Sequence, residues 1–111
     1  MRRLVSAWAA FACVALPAAV AAQSVDAAAA EALMKKSGCM KCHSVSAKKE
    51  GPPFKETAAK YKGQPDAEAK LVTHLTTNPK IKVDGKDEPH ENLKTKDAAE
   101  VKNVVQWILA Q

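Results

Sequence analysis

Hydrophobic residues recur at helical spacing in the last segment of the chain, and polar residues fill the positions between them. This apolar stripe follows the i, i+3, i+4, i+7, i+8 pattern of one helix face and consists of Val101, Val104, Val105, Ile108 and Leu109. Asp97 and Glu100 fit a capping box at its start, and Thr95 is a rival cap. We therefore predict an amphipathic helix at this end of the chain.

Three shorter segments carry the same signature, and the helices that they predict span residues 26–37, 54–62 and 66–76. The third helix starts at Asp66 or at Ala67, because proline and acidic residues favour a helix N-terminus. Residues 80–94 are polar and contain turn-forming residues, so we expect irregular structure there. Since no segment alternates like a strand over a useful length, the sequence predicts an all-α domain.

The first 22 residues have the arrangement of a secretory signal peptide. Arg2 and Arg3 give a positive start, residues 4–16 carry no charge, and small residues up to Ala22 suit a cleavage site. A membrane-anchoring helix is the alternative, although the apolar run is too short to span a bilayer. Cleavage after Ala22 leaves 23–111 as one small domain in an oxidising compartment.

Composition narrows the classes of function. The formal net charge is +5, which alone would be compatible with a nucleic-acid partner. Beyond Arg2 and Arg3, however, every basic residue is Lys, and lysine lacks the forked donor group that usually reads guanine or clamps phosphate. We therefore expect no nucleic-acid binding. A domain of this size also buries only a small hydrophobic core, so we expect a cofactor or another stabilising link to complete that core.

One short motif carries the candidate chemistry. Cys39, Cys42 and His43 form Cys-x-x-Cys-His, in which two thiols can bond to one haem and the histidine can bind its iron. The alternatives are a thioredoxin-like redox pair, a structural zinc site and a plain disulfide. We favour covalent haem attachment, because no βαβ setting surrounds the motif and zinc motifs space their ligands as two separated pairs.

With this motif, the chain resembles the small class I c-type cytochromes of Gram-negative bacteria over essentially all of 23–111. The likeness lies in EALMKKSGCMKCHSV, GPPFKETAAKYKGQPDAEAKL and AAEVKNVVQWILAQ. It implies a cytochrome c-like fold, in which the first and last helices cross and about four helices wrap one covalently attached haem c. It also implies that Leu33 or Met34 meets the last helix near that crossing, at Val104, Trp107 or Ile108.

The resemblance further implies a set of residues around the iron. His43 would be the proximal ligand, and the carbonyl of Pro52 would accept a hydrogen bond from its Nδ1. Such cytochromes normally supply a methionine as sixth ligand from the loop before the last helix, and none suits that place here. The methionines of this chain are Met1, Met34 and Met40. His90 stands at the position of the missing ligand, so we expect His43/His90 coordination.

Other assignments for the sixth site stay open. A loop histidine flanked by Glu88 and Glu91 is ordinarily a solvated surface residue, and His74 on the third predicted helix is a second candidate. An open site or a lysine ligand is also compatible with the sequence. With two imidazoles we expect a low-spin haem whose potential lies below that of methionine-ligated relatives.

The function that the resemblance implies is electron transfer in the periplasm by a monomer that is not an enzyme and binds no small-molecule substrate. Redox partner proteins would dock on a lysine-rich haem rim, for which an ordinary solubilising surface is the alternative. The rim lysines are Lys41, Lys48, Lys49, Lys55, Lys60, Lys62, Lys80, Lys82 and Lys86. A gas-binding or sensing haem protein and a haem subunit of a larger redox enzyme are the other functions considered.

Overall fold

The computed structural model describes residues 24–111, so the expected signal peptide, residues 1–22, lies outside the described residues. In chain order the elements are α1 (Ala27–Lys36), a 3-10 turn (Cys39–Lys41), α2 (Phe54–Tyr61), α3 (Ala67–Thr76), β1 (Lys80–Val83), β2 (Lys86–Pro89) and α4 (Ala98–Leu109). The four predicted helices are present, and the all-α fold class is confirmed. None of the helices between residues 24 and 111 combines the length and hydropathy that a membrane crossing requires.

The first and last helices, α1 and α4, pack against each other. Asp26 caps α1, because its side chain accepts a hydrogen bond from the Ala29 N–H at 3.0 Å. The Asn103 side chain of α4 binds the Asp26 N–H at 2.9 Å and its C=O at 2.8 Å, which fixes the start of one helix to the other. Met34 and Val104 lie almost fully buried in the core that the two helices share.

Helices α2 and α3 also pack against α4 and complete the core. The ring of Phe54, at the start of α2, meets the Trp107 ring edge-on at a centroid separation of 5.5 Å. Leu71 and Leu75 are buried along α3, as the apolar stripe predicted. Each such side chain stabilises the fold by roughly 1.5–3 kcal/mol relative to exposure in water.

The segment 80–94 is not wholly irregular, which corrects the prediction from sequence. Strands β1 and β2 pair antiparallel in a hairpin, with Lys80 opposite Pro89 at its base. The turn residues Asp84 and Gly85 both have positive φ, 49° and 78°, as a tight two-residue hairpin turn requires. Every side chain of β2 is exposed, so its sequence has no alternation of polar and apolar residues that would predict a strand.

The start of α4 uses both residues that the sequence offered as caps. The Asp97 side chain accepts a hydrogen bond from the Ala99 N–H at 2.8 Å and is the N-cap. The Thr95 hydroxyl accepts from the Asp97 N–H at 3.1 Å and donates to the Glu100 carboxylate. Thr95 therefore stands between the two members of the expected capping box and links them.

Candidate functional site

The Cys-x-x-Cys-His motif follows directly from the end of α1. Gly38 takes a left-handed conformation with φ 77°, which turns the chain out of the helix and into the 3-10 turn. The backbone N–H groups of Cys42 and His43 both donate to the Cys39 carbonyl, at 3.2 and 3.0 Å. This tight turn holds the two thiols and the imidazole together on one short stretch of backbone.

The environment of the two cysteines differs from that of a reactive redox pair. They are not bonded to each other, and each is partly buried. Burial raises the pKa of the Cys39 thiol, and a 3.2 Å hydrogen bond to the Glu50 carboxylate raises the pKa of Cys42. A nucleophilic redox cysteine needs a lowered pKa. Neither cysteine therefore has the surroundings of a reactive redox thiol, which speaks against the thioredoxin-like alternative.

His43 is held from several sides. Its Nδ1 lies 2.8 Å from the carbonyl oxygen of Pro52, the pairing that the resemblance implied, and this bond makes Nδ1 the donor and leaves Nε2 free to bind a metal. The ring stacks on Phe54 at a centroid separation of 5.2 Å. Gly51 lies so close that a Cβ there would be 2.4 Å from His43 Cε1. Sequence analysis assigned no role to Gly51.

His90 lies where the chain leaves β2, and its backbone N–H donates to the Pro79 carbonyl at 2.8 Å. Its ring faces that of His43 at a centroid separation of 6.2 Å and that of His74 at 4.2 Å. Burial, with the nearby His74 and His43, lowers the pKa of His90 and favours the neutral imidazole that can bind a metal. The alternative of a solvated surface histidine therefore does not match the structure.

One feature of the His90 ring indicates a missing partner. Its Nδ1 is the single buried side-chain nitrogen or oxygen without a hydrogen-bonding partner among residues 24–111. Buried polar atoms in folded proteins are rarely left unpaired unless an ion, a water or a cofactor belongs there. No three His, Cys, Asp or Glu side chains in this part of the chain converge as a metal site by themselves would need. A haem iron, in contrast, takes only two protein ligands.

The spacing of the two imidazoles fits that requirement. A histidine nitrogen bonds a transition metal at about 2.0–2.1 Å and lies about 1.1 Å from its ring centroid, so two imidazoles on opposite sides of one metal have centroids about 6.2–6.4 Å apart. The separation of His43 and His90 is 6.2 Å. The residues present therefore fit a haem iron held between these rings. His74, tilted 50° against His90, lies beside this pair.

Comparison with known proteins identifies the family of the chain. The family model for cytochrome c matches residues 27–111. Cytochrome c-551 of Pseudomonas aeruginosa is 36% identical over 81 residues, which cover 73% of this chain and 75% of that protein. Cytochrome c-552 of Hydrogenobacter thermophilus is 40% identical over 86 residues, which cover 72% and 79%.

Solved structures agree with these relatives. The class 1 cytochrome MtoD of Sideroxydans lithotrophicus ES-1 superimposes with a TM-score of 0.75 at 45% identity, covering 78% of this chain and 97% of that one. Wild-type cytochrome c552 of Nitrosomonas europaea gives a TM-score of 0.56 at 30% identity, covering 71% and 95%. The chain belongs to the cytochrome c family of haem-based electron-transfer proteins, and its cofactor is one covalently bound haem c.

Proposed function

We propose that this protein is a periplasmic carrier of single electrons whose haem iron is held between His43 and His90. The observation that carries the proposal is the 6.2 Å separation of the two ring centroids, which suits opposite ligands of one metal. The unpaired, buried Nδ1 of His90 supports it, because this ring sits in a place built for a further partner.

The residues of the motif have separate tasks in this proposal. The thiols of Cys39 and Cys42 hold the haem covalently, and bound haem supplies the one-electron chemistry of iron. His43 is the proximal ligand, and its hydrogen bond to Pro52 fixes the imidazole plane and increases the basicity of the ligand nitrogen. With His43 and His90 both holding the iron, a change of oxidation state would move few atoms.

The choice of His90 over methionine rests on where the methionines are. Met34 is 1% exposed within the core on α1, and Met40 lies inside the 3-10 turn and packs against the same core. Neither stands opposite His43. Methionine opposite histidine raises a haem potential, so we expect two imidazoles to give this haem a lower potential than methionine-ligated cytochromes have.

The proposed location rests on the first 22 residues, and the proposed docking rests on the exposed lysines. Residues 1–22 have the features of an export signal, which accords with haem c attachment outside the cytoplasm. All nine rim lysines are exposed, and the Lys49 ammonium donates to the Met40 carbonyl, within the motif, at 2.7 Å. A monomer with this surface would steer towards acidic redox partner proteins.

A pair of single variants tests the ligand assignment. In the haem-loaded protein, His90→Ala should convert the low-spin ferric spectrum to high-spin, and added imidazole should restore the low-spin form. His74→Ala is the matched control, because it removes the neighbouring ring and should leave the low-spin spectrum in place. Electron paramagnetic resonance and near-infrared magnetic circular dichroism report both changes. An unchanged low-spin spectrum in His90→Ala removes His90 from the iron and refutes the assignment.

A further inference from the structure

The loop that carries His90 returns to the end of α3, and two asparagine side chains join them. Asn78 follows α3, and Asn92 follows His90 by two residues. Asn92 Oδ1 accepts from the Asn78 backbone N–H at 2.8 Å, and its Nδ2 donates to the Asn78 Oδ1 and to the Thr76 carbonyl, each at 3.0 Å. Asn78 Nδ2 donates to the His90 carbonyl at 2.9 Å.

We propose that Asn78 and Asn92 form a clasp that holds the His90 loop against α3 and so sets how readily this ligand leaves the iron. The clasp rests on the His43/His90 coordination proposed above, because it acts on the backbone of the second of these ligands. It makes Asn78 and Asn92 positioning residues, since neither side chain contacts the imidazole of His90 itself in these hydrogen bonds.

The chemistry of the amide explains why both positions are asparagine. Each side chain in the clasp donates and accepts at the same time, which a carboxylate cannot do. Asn78 also has φ 45°, in the left-handed region that asparagine and glycine adopt more easily than other residues. Aspartate at either position would lose the donor group and would place its charge against a carbonyl oxygen.

The loop is also attached to the domain by contacts that do not involve the clasp. The His90 N–H donates to the Pro79 carbonyl at 2.8 Å, and the Leu93 N–H donates to the Leu75 carbonyl at 3.0 Å. Leu93 is also buried in the core. Because these anchors survive when the clasp is removed, the loop should loosen locally at His90 and not detach from the domain.

Carbon monoxide binding to the reduced, haem-loaded protein measures the release of His90, because the gas can bind only after the imidazole leaves. The first variant is Asn78→Gly, which removes the hydrogen bond to His90 and keeps a residue suited to positive φ. The second is Asn92→Ala, which removes the other half of the clasp. The matched control is Asn103→Ala, which also removes two amide hydrogen bonds to backbone, between α1 and α4.

We expect the rate of carbon monoxide binding to rise about tenfold in both clasp variants, since side-chain hydrogen bonds of modest strength are lost from the ligand loop. Asn103→Ala should lower the denaturation midpoint and leave the binding rate at the wild-type value. Wild-type rates in both clasp variants overturn the clasp alone. A wild-type protein that is five-coordinate and binds the gas in one fast step overturns the His90 coordination and the clasp together.

Discussion

Replacement of Gly51 by alanine is the sharpest test of how the proximal histidine is held. The added Cβ would lie 2.4 Å from Cε1 and 2.7 Å from Nδ1 of His43, whereas ordinary contacts begin at 3.4 Å. The ring must therefore move by about 1 Å to restore an ordinary contact. Such a shift takes Nδ1 out of hydrogen-bonding range of the Pro52 carbonyl, now 2.8 Å away.

The expected cost combines two effects. Forcing an extra methyl group into packed surroundings costs about 1–3 kcal/mol, and the lost hydrogen bond adds about 1 kcal/mol. We therefore expect Gly51→Ala to lower the free energy of unfolding of the haem-loaded protein by about 2–4 kcal/mol. The denaturant midpoint of the ferric protein gives this value, and the reduction potential reports the change at His43, because a weaker outer hydrogen bond makes the imidazole a weaker donor.

Gly63→Ala provides the matched control for this substitution. Gly63 has φ 77° and no neighbouring atom within 4 Å of a built Cβ, so its replacement costs backbone strain of about 1–2 kcal/mol and leaves the ligand alone. We expect Gly63→Ala to lower stability without a change in potential. If Gly51→Ala keeps both the stability and the potential of the wild type, the steric argument for Gly51 is wrong.

Three further predictions concern the core, the pH dependence and the surface. Val104→Ala should destabilise the protein by about 2 kcal/mol in denaturant titrations, because Val104 is 0% exposed and its removal leaves a cavity. Burial lowers the pKa of His74 from its ordinary value of 6.5, so the unfolded chain takes up the proton first and stability should fall as pH falls below that value. His74→Gln should flatten this fall in unfolding curves recorded from pH 7 to pH 5. Oxidation by anionic hexacyanoferrate should slow as salt rises, and stopped-flow rates that ignore ionic strength would contradict steering by the rim lysines.

The helices were predictable from sequence because each carries its own signal. In α4, for example, the apolar stripe contains Val101 and Val105, and the cap is Asp97. These signals lie within a few residues of each other, so they predict the helix without knowledge of the tertiary structure. The hairpin was missed for the opposite reason. Its strands are mostly exposed, so the Asp84-Gly85 turn is the main sequence signal for it, and a turn of two residues leaves no mark on the hydrophobic pattern.

The functional site, like the fold, was predictable from the sequence only in part. The Cys-x-x-Cys-His spacing is local and indicates its cofactor directly, and the resemblance supplied Pro52 as the partner of His43. The close approach of Gly51 and the hydrogen bonds of Asn92 were beyond sequence reasoning. Both depend on which distant parts of the chain meet in the fold, and neither glycine nor asparagine in a polar loop differs by its type from an ordinary turn residue.

The two proposed iron ligands are secured in different ways, and this difference has a consequence for function. His43 is fixed within nine residues of sequence by its neighbouring cysteine and by the Pro52 carbonyl, so it stays in place as long as the motif is intact. His90 depends on hydrogen bonds between residues 12 to 16 apart, formed at the exposed surface. Exposed hydrogen bonds between distant segments open more readily than local ones in a tight turn. When the iron loses one ligand, it should therefore lose His90 first, and the proposed clasp should set how readily a small ligand can take its place.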